Sequence, residues 1–448
     1  MAAAAERDIL IAGGGVAGLV LARLLAVDGW RVTLAGLPRA AAWEGISPRV
    51  VEGLRRAGCA EAEAACATVV PRSGRWNGEL HAANVECLVE RPLFDAALWR
   101  DAAAAGAEVI EGVTTATDRT ADDGGWRLTV RLPDGGGRHR SGGFLIEARG
   151  RKAPKAGPPR WSGPHTVALA RAYDGPPPAR AESGVTAMPD GWGWFAVLAD
   201  GRRLVQVFAD AAEVPPRDGL SAFHAARVAT APDLLAWIGD ARPVGEVSAR
   251  DATPLITAEA DAPGLLRIGD AAFGIDPLSG HGTYEAIGGA LIARPVVATL
   301  LRRPADSALA LQFHRERVVD AFHRHALAGR AFYRQETRWA DRPFWRDRTG
   351  WDEAPPPAPP PPPPRPLVAE RPVIEDGVIV ARRVVVTAQH RRGILSIDDG
   401  PLAPLLDAVA AAPGAGAAAL ASGLGRAPAQ VDKALAWLAR QGLLPLAA

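Results

Sequence analysis

Two glycine-rich segments of the 448-residue chain combine backbone and side-chain groups that can hold an anionic ligand. Residues 13–18 read Gly-Gly-Gly-Val-Ala-Gly and follow a short apolar stretch. Residues 266–283 read as a buried strand that ends in Gly-Asp, an Asp-Pro turn, and a helix that begins among glycines. A helix N-terminus offers unpaired N–H groups and the positive end of a dipole, which suit an anion. Two such turns, far apart in sequence, indicate one large anionic cofactor that is held at both ends.

The first segment matches the G-x-G-x-x-G pattern through Gly13, Gly15 and Gly18. Gly13 permits the tight turn, Gly15 lets the backbone approach a pyrophosphate, and Gly18 allows close helix packing. Val16 and Ala17 then open the helix that faces the phosphates. The pattern predicts dinucleotide binding at these five positions.

The elements around this pattern have the required order. Apolar spacing predicts a strand at 8–13, a helix at 16–28 and a strand at 30–35, which together form a βαβ unit. The second strand is followed by Ala-Gly-Leu and lacks the usual acidic residue that binds ribose hydroxyls. Backbone groups or Arg39 are the alternative partners for the adenosine.

The second segment offers a carboxylate and another helix start. Asp270, at the end of a strand, can accept hydrogen bonds from the hydroxyls of a ribityl chain; the alternative is a turn or N-cap aspartate. Gly280 and Gly282, which follow Pro277, open a helix whose positive end stabilises an anionic reduced flavin. His281 either tunes the flavin or contacts substrate, or it packs while only its backbone binds.

Bulk composition narrows the class of protein. The chain is 48% hydrophobic and 23% charged with a net charge of +1, which fits a globular protein without a polyanionic partner. Cys59, Cys66 and Cys87 lack metal-ligand spacing and a C-x-x-C pair, so we expect reduced thiols and no metal site. No signal core precedes the first strand and no run of 18 apolar residues occurs. A cytoplasmic, soluble enzyme is expected.

The predicted fold class is α/β. It comprises a Rossmann-like FAD-binding domain with an interleaved β-sheet substrate domain, followed by a small winged-helix-like C-terminal domain. The predicted boundaries are 1–165 for the FAD-binding domain (with part of the substrate sheet near 68–90), 166–252 for the substrate domain, 253–352 for the continued FAD-binding domain and helical region, 353–366 for a proline-rich linker, and 367–448 for the C-terminal domain.

The C-terminal region has its own pattern. The proline tract predicts a stiff spacer. Paired strands are predicted around Asp376-Gly377 and three helices at 401–410, 417–423 and 428–440. Such a module either grips a protein substrate or serves packing or dimerisation. Its nearly balanced charge disfavours nucleic-acid binding.

The two glycine-rich motifs together resemble the class A flavin-dependent monooxygenases of the p-hydroxybenzoate hydroxylase type, over residues 8–350. The stretch 273–282 is most similar to the branch with tryptophan halogenases and the flavoproteins that mature tryptophylquinone enzymes. Arg91 resembles the arginine that begins an FAD-contacting helix, and Arg49 lies in a segment that resembles the one flanking the flavin. Glu-Ala-Arg-Gly at 147–150 resembles that branch's D-A-[ST]-G turn with two substitutions. The resemblance implies FAD as the cofactor.

Two departures argue against halogenation. Halogenases of this branch carry W-x-W-x-I-P and an essential early lysine, whereas Trp192 and Trp194 precede Phe-Ala-Val and the first lysine is Lys152. The resemblance therefore implies hydroxylation through a C4a-hydroperoxyflavin in a pocket that excludes water. Trp192 and Trp194 could line that pocket as catalytic-site residues with His281. Because alternate strand residues face one side, both fit a packed core equally well.

The whole arrangement resembles the flavoprotein monooxygenase that hydroxylates a tryptophan in the small subunit of quinohaemoprotein amine dehydrogenase, a step in cysteine tryptophylquinone biogenesis. This resemblance implies a protein substrate, O2 and a reductant such as NAD(P)H, with no nucleic acid or membrane partner. Two alternatives stay open. One is a hydroxylase of a free aromatic metabolite, and the other is a flavin redox sensor whose tail binds nucleic acid.

Overall fold

The computed structural model describes residues 8–39, 42–120, 124–155, 157–351 and 354–444. Residue 353 of the predicted linker and residues 445–448 of the predicted C-terminal domain lie outside these ranges. The helices are α1 (Val16–Val27), α2 (Pro48–Ala57), α3 (Ala60–Ala64), α4 (Arg91–Ala104), α5 (Leu220–Ala229), α6 (Pro232–Ile238), α7 (Gly282–Arg302), α8 (Ser307–Gln335), α9 (Pro343–Thr349), α10 (Leu402–Ala411), α11 (Ala417–Leu424) and α12 (Pro428–Arg440). The strands are β1 (Asp8–Ala12), β2 (Arg31–Gly36), β3 (Trp43–Ile46), β4 (Val69–Trp76), β5 (Glu79–Glu90), β6 (Glu108–Glu111), β7 (Val113–Arg119), β8 (Trp126–Arg131), β9 (Gly137–Gly142), β10 (Phe144–Glu147), β11 (Trp161–Ser162), β12 (Thr166–Asp174), β13 (Glu182–Met188), β14 (Gly191–Val197), β15 (Arg203–Asp210), β16 (Arg242–Asp251), β17 (Leu255–Ile256), β18 (Asp261–Ala262), β19 (Leu265–Arg267), β20 (Phe273–Gly274), β21 (Leu367–Glu375), β22 (Val378–Val386), β23 (Ser396–Ile397) and β24 (Gly400–Pro401).

A six-stranded sheet with the order β18-β19-β10-β1-β2-β6 carries the cofactor-binding turns. β1 runs parallel to β2 and to β10, and β10 runs parallel to β19. β1 is apolar and buried from Ile9 to Ala12, as expected for a strand covered on both faces. Because parallel strands end at one edge, the turns that follow β1, β10 and β19 lie side by side. The predicted α/β fold with a βαβ start is confirmed.

A second sheet, with the order β16-β12-β15-β14-β13-β4-β5-β3, has eight strands and two different faces. Phe195 packs on one face with Val205, Val207 and Leu234, whereas Trp192 and Trp194 pack on the other. β3, β4 and β5 come from the first 90 residues, so this sheet is interleaved with the first. The sequence pattern indicated only strands between 166 and 252, but α5 and α6 also lie there. They form because Leu220, Val228 and Leu234 are buried against the sheet.

The chain divides into two compact units, Met1–Arg294 with Arg317–Ala358, and Pro295–Glu316 with Pro359–Ala448. In the second unit, β21 and β22 form a hairpin whose turn residues Asp376 and Gly377 both have positive φ, of 49° and 74°. This backbone is typical of a two-residue hairpin turn. α10, α11 and α12 pack around a core that includes Leu402, Leu420 and Val431. The sequence-based domain boundaries stay a prediction.

α7 is long and apolar enough to cross a membrane by length and composition alone, with a mean hydropathy of 1.3 over an 18-residue window. Its residues Ile287, Ala290 and Ala293 are almost fully buried within the protein. The same composition is typical of a core helix, and this burial favours the core assignment.

Candidate functional site

Three turns from distant parts of the chain meet at the carboxyl edge of the six-stranded sheet. Gly13 follows β1 with a φ of 126°, and a Cβ there would lie 2.3 Å from the carbonyl carbon of Ala148, after β10. A Cβ on Gly269, after β19, would lie 2.9 Å from the Cβ of Ala17. Gly150 lies near Asp270, since a Cβ on Gly150 would be 3.5 Å from the Cβ of that aspartate. The two glycine-rich segments recognised in the sequence therefore converge.

The N-terminus of α1 is shaped to receive an anion. Gly15 is its N-cap and no side chain caps the free N–H groups. A Cβ on Gly15 would meet no heavy atom within 4 Å, so space is open in front of the helix. By contrast, a Cβ on Gly18 would lie 2.2 Å from the carbonyl oxygen of Gly13, which explains the glycine there. Val16 and Ala17 are buried and contribute backbone groups.

Asp270 lies at the same edge with a partly exposed side chain. Its exposed fraction is 42%, and its Oδ2 is 3.7 Å from Nε of Arg151. Arg151 also donates to the carbonyl oxygen of Thr253 and lies 3.4 Å from a carboxylate oxygen of Asp251, so its charge is shared. Asp270 thus keeps oxygen atoms accessible to hydroxyl donors of a ligand.

The Asp-Pro turn before α7 is held by a buried polar chain. Asp276 accepts hydrogen bonds from the backbone N–H of Leu278 at 2.9 Å and from the hydroxyl of Tyr333 at 3.2 Å. Burial raises the pKa of Asp276 despite these bonds. The Tyr333 oxygen in turn accepts from Nε1 of Trp192 at 3.3 Å. This chain fixes Pro277, and with it the turn that leads to α7.

The residues that open α7 leave its first turn accessible. Gly280 and Gly282 are exposed, and Gly280 has a φ of 66°. Nδ1 of His281 donates to the carbonyl oxygen of Ser279, and burial lowers the pKa of His281. The positive charge of Arg49, on α2, also disfavours protonation of His281. The helix start therefore presents exposed backbone beside a half-buried imidazole.

Arg91 is buried in an ion-pair network rather than free for a ligand. Its Nη1 is 2.7 Å from Oε1 of Glu44, and its Nη2 is 2.7 Å from Oδ1 of Asp95. Oε2 of Glu44 accepts from the hydroxyl of Thr283 at 2.9 Å, which links the network to the first turn of α7. Burial alone would raise the pKa of Glu44, but the charges of Arg91 and Arg39 lower it to about 2. Arg39, the alternative ribose partner, is thus also paired with Glu44.

Trp192 and Trp194 lie in the core between the second sheet and the helices of the first unit. Trp192 is 2% exposed and stacks on Phe208 with ring centroids 3.7 Å apart. Nε1 of Trp194 is 3.4 Å from Oε1 of Glu86, a buried carboxylate. Of the two alternatives left open by the sequence, this geometry favours core packing. A role in lining a substrate pocket stays a prediction.

Glu86 has a second charged neighbour near the cofactor turn. Its Oε2 is 3.7 Å from Nε of Arg72, and Nη1 of Arg72 would be 3.9 Å from a Cβ on Gly280. Arg72 therefore lies where the second sheet approaches the start of α7. Glu44, Arg72 and Glu86 belong to no motif in the sequence, because their roles depend on contacts with other elements of the fold.

The residues at this edge fit a flavin dinucleotide. The N-terminus of α1 suits a pyrophosphate, Asp270 suits ribityl hydroxyls, and the exposed start of α7 suits an electron-rich pyrimidine edge. In the part of the chain that the structure describes, no cluster of three or more His, Cys, Asp or Glu side chains is placed to hold a metal ion. The individual roles of these residues stay predictions.

No protein-family model matches the chain. A curated flavin-dependent halogenase, armH4 of Armillaria mellea, is 30% identical over 161 residues, which are 32% of this chain and 30% of that enzyme. The match thus spans under a third of the length of this curated relative. Among solved structures, the peptidyl tryptophan dihydroxylase QhpG, essential for tryptophylquinone cofactor biogenesis, is 37% identical with a TM-score of 0.83, and the alignment covers 98% of this chain and 100% of QhpG. The flavin-dependent halogenase CmlS is 19% identical with a TM-score of 0.73, over 97% of this chain and 95% of CmlS.

The fold and the converging turns define a flavin-dependent oxidoreductase of the fold that halogenases and hydroxylases share. The predicted class of enzyme and FAD as its cofactor are confirmed. The 37% identity to QhpG, over 98% of this chain and all of QhpG, is more specific. The chain belongs to the family of the peptidyl tryptophan dihydroxylase QhpG, as the sequence resemblance predicted.

Proposed function

We propose that this enzyme uses FAD to hydroxylate a tryptophan side chain within a protein substrate, as a step in the biogenesis of a tryptophylquinone cofactor. The observation that carries the proposal is the 37% identity to QhpG, which extends over 98% of this chain and all of QhpG. The C-terminal unit is part of that alignment, so the likeness includes more than the flavin-binding fold. The finer parts of the proposal are the small subunit of an amine dehydrogenase as the substrate, O2 and a nicotinamide reductant as co-reactants, and the cytoplasm as the site of action.

The site supports oxygen chemistry through binding and orientation. Bound FAD supplies the redox chemistry with O2. The N-terminus of α1 would hold the pyrophosphate and Asp270 would hold the ribityl chain of FAD, while the hydrogen bond between Tyr333 and Asp276 fixes the turn before α7. Precise placement of reacting groups is worth a large part of an enzymatic rate enhancement. The buried polar chain from Asp276 to Trp192 therefore couples the second sheet to the cofactor turn.

Mass spectrometry of the co-expressed small subunit of an amine dehydrogenase tests the proposal. The target tryptophan gains the mass of one or two oxygen atoms when the wild-type enzyme is present. A substrate variant with phenylalanine at that position is the matched control and stays unmodified. An unmodified tryptophan with FAD-loaded enzyme, O2 and reductant would refute the proposal.

The variant Asp270→Ala connects the activity with the cofactor. Removing the carboxylate deletes the acceptor for ribityl hydroxyls, so the purified variant retains much less FAD and leaves the tryptophan unmodified. Absorbance of the bound flavin measures the loss. Asp218→Ala, at an exposed surface position, is the control and keeps full occupancy. Stoichiometric yellow cofactor in Asp270→Ala would contradict the role given to this carboxylate.

A further inference from the structure

Glu285 and His325 form a buried pair beside the cofactor turn that the proposed binding of FAD does not use. Glu285 lies in the first turn of α7, and His325 lies on α8. Oε1 of Glu285 is 2.6 Å from Nε2 of His325 and 3.2 Å from Nη2 of Arg324. Both members of the pair are largely shielded from solvent, whereas Arg324 is exposed. A charge-assisted hydrogen bond of this length is strong where water is excluded.

His281 lies directly against this pair. The imidazole rings of His281 and His325 have centroids 5.0 Å apart and are tilted by 36°. Nδ1 of His281 contacts the carbonyl oxygen of Ser279, which can only accept a hydrogen bond. The proton of neutral His281 is therefore on Nδ1, and the lone pair is on Nε2. A fixed tautomer of this kind is typical of imidazoles that exchange protons at a functional site.

His325 has one nitrogen left over. Its Nε2 donates to Glu285, while its Nδ1 is buried and has no hydrogen-bond partner within the described ranges. A buried polar atom without a partner is costly, and in native proteins it often marks a catalytic role or a position occupied by a water molecule or an ion. The unsatisfied nitrogen thus belongs to the imidazole that neighbours His281.

We propose that Glu285 and His325 are positioning residues that set the protonation state of His281, which acts as the acid–base group of the cofactor turn. In this arrangement His281 stays neutral near neutral pH and can take up, at Nε2, the proton that hydroxylation of an aromatic carbon releases. The use of that proton rests on the proposed function. The coupling between Glu285, His325 and His281 is independent of the proposed function.

The signs of the coupling follow from the charges around His281. Burial lowers its pKa, and positive charge on His325 and on Arg49 lowers it further. The carbonyl of Ser279 and the carboxylate of Glu285 act in the opposite direction. Removing His325 therefore raises the pKa of His281, and removing the charge of Glu285 lowers it. The groups that face His281 come from the preceding turn, α7, α8 and α2: Ser279, Tyr284, Glu285, His325 and Arg49.

An NMR titration of FAD-loaded protein tests the coupling without any turnover. The His281 imidazole is followed in the wild type, in His325→Gln and in the isosteric Glu285→Gln, and its signal is assigned by its loss in His281→Gln. The titration midpoint of His281 moves up in His325→Gln and down in Glu285→Gln. His323→Gln, two residues away on the same helix, is the matched control and leaves the midpoint unchanged. Shifts in the same direction, or no shift in either variant, would overturn the proposal.

The pH dependence of tryptophan hydroxylation then tests the acid–base role. The acid limb of the rate profile moves to higher pH in His325→Gln and to lower pH in Glu285→Gln, in parallel with the titration. A profile that does not move while the titration does would refute the acid–base role of His281. Absence of hydroxylation by the wild-type enzyme would instead refute the proposed function, and the titration would still report the coupling.

Discussion

Replacing Arg91 by methionine gives a direct test of the ion-pair network that joins α4 to the start of α7. Methionine keeps a long unbranched side chain but removes the guanidinium. Arg91 is 2% exposed and Asp95 is fully buried, while Glu44 is 28% exposed. The substitution therefore leaves one carboxylate in a dry environment without its cation, and a second one with only Arg39.

The expected cost is large because the partner charges stay behind. Breaking a buried ion pair by removing one member destabilises a protein by about 3–5 kcal/mol. The backbone N–H of Arg39, 3.2 Å from Oδ2 of Asp95, still solvates that carboxylate in part. The lower end of the range, about 3 kcal/mol, is therefore expected for Arg91→Met.

The measurement is urea unfolding followed by tryptophan fluorescence, with Arg100→Met as the matched control on the same helix. Arg100 is 60% exposed and pairs with an equally exposed Glu61 at 3.2 Å. An exposed pair of this kind contributes about 0–1 kcal/mol. Arg91→Met moves the unfolding midpoint far below that of Arg100→Met. If the two variants unfold at the same urea concentration, the inference that this network stabilises the site is wrong.

Three more results follow from the site. The pKa of Glu44 is depressed from 4.5 to about 2. The ionised Glu44 therefore contributes roughly 2 kcal/mol of stability after allowance for partial exposure, which is present above pH 4.5 and lost as the pH falls towards 2. The pH dependence of unfolding measures this contribution, and Glu44→Gln removes the acid-sensitive part. Gly15→Ala keeps the stability of the FAD-free protein but weakens FAD binding, because the new Cβ enters the open space before α1. Gly13→Ala lowers both the stability and the affinity for FAD. Calorimetry measures the stability, and flavin titration measures the affinity. Tyr333→Phe leaves Asp276 and Trp192 without their shared hydrogen-bond partner and lowers the free energy of unfolding by about 1–3 kcal/mol. Tyr173→Phe, on the opposite face of the sheet, is the control. An equal loss of stability in the two variants would contradict the reasoning.

Local pattern was sufficient to predict most elements of the fold. The apolar spacing after Gly15 predicts a helix, and α1 runs from Val16 to Val27. The Asp376-Gly377 pair predicts a hairpin, and both residues have the positive φ that such a turn requires. α5 and α6 were missed, because their short sequences become helical only when Leu220 and Leu234 are buried against the sheet. Tertiary burial outweighs weak local preference in such cases.

The polar connections of the site could not be predicted in the same way. Glu44 and Arg91 are 47 positions apart, and Glu285 and His325 are 40 positions apart. Periodicity within one helix or strand says nothing about pairs at such separations. The glycines and Asp270 were found because their roles depend on a local turn. The side chains that hold those turns in place belong to other elements and became visible only in the folded chain.

The strand order of the six-stranded sheet also determines when the enzyme can take up its cofactor during synthesis. β1 is synthesised before β10, which pairs with it, and before β19, which pairs with β10 and ends at Arg267. A nascent chain that stops short of Asp270 contains the phosphate-binding turn but lacks the second glycine-rich segment, which forms the other side of the cofactor site. FAD loading is therefore expected only after the segment that carries Asp270 has emerged from the ribosome. Because a ligand that binds only the folded state stabilises it, cellular flavin supply will influence how much of the newly made protein escapes degradation.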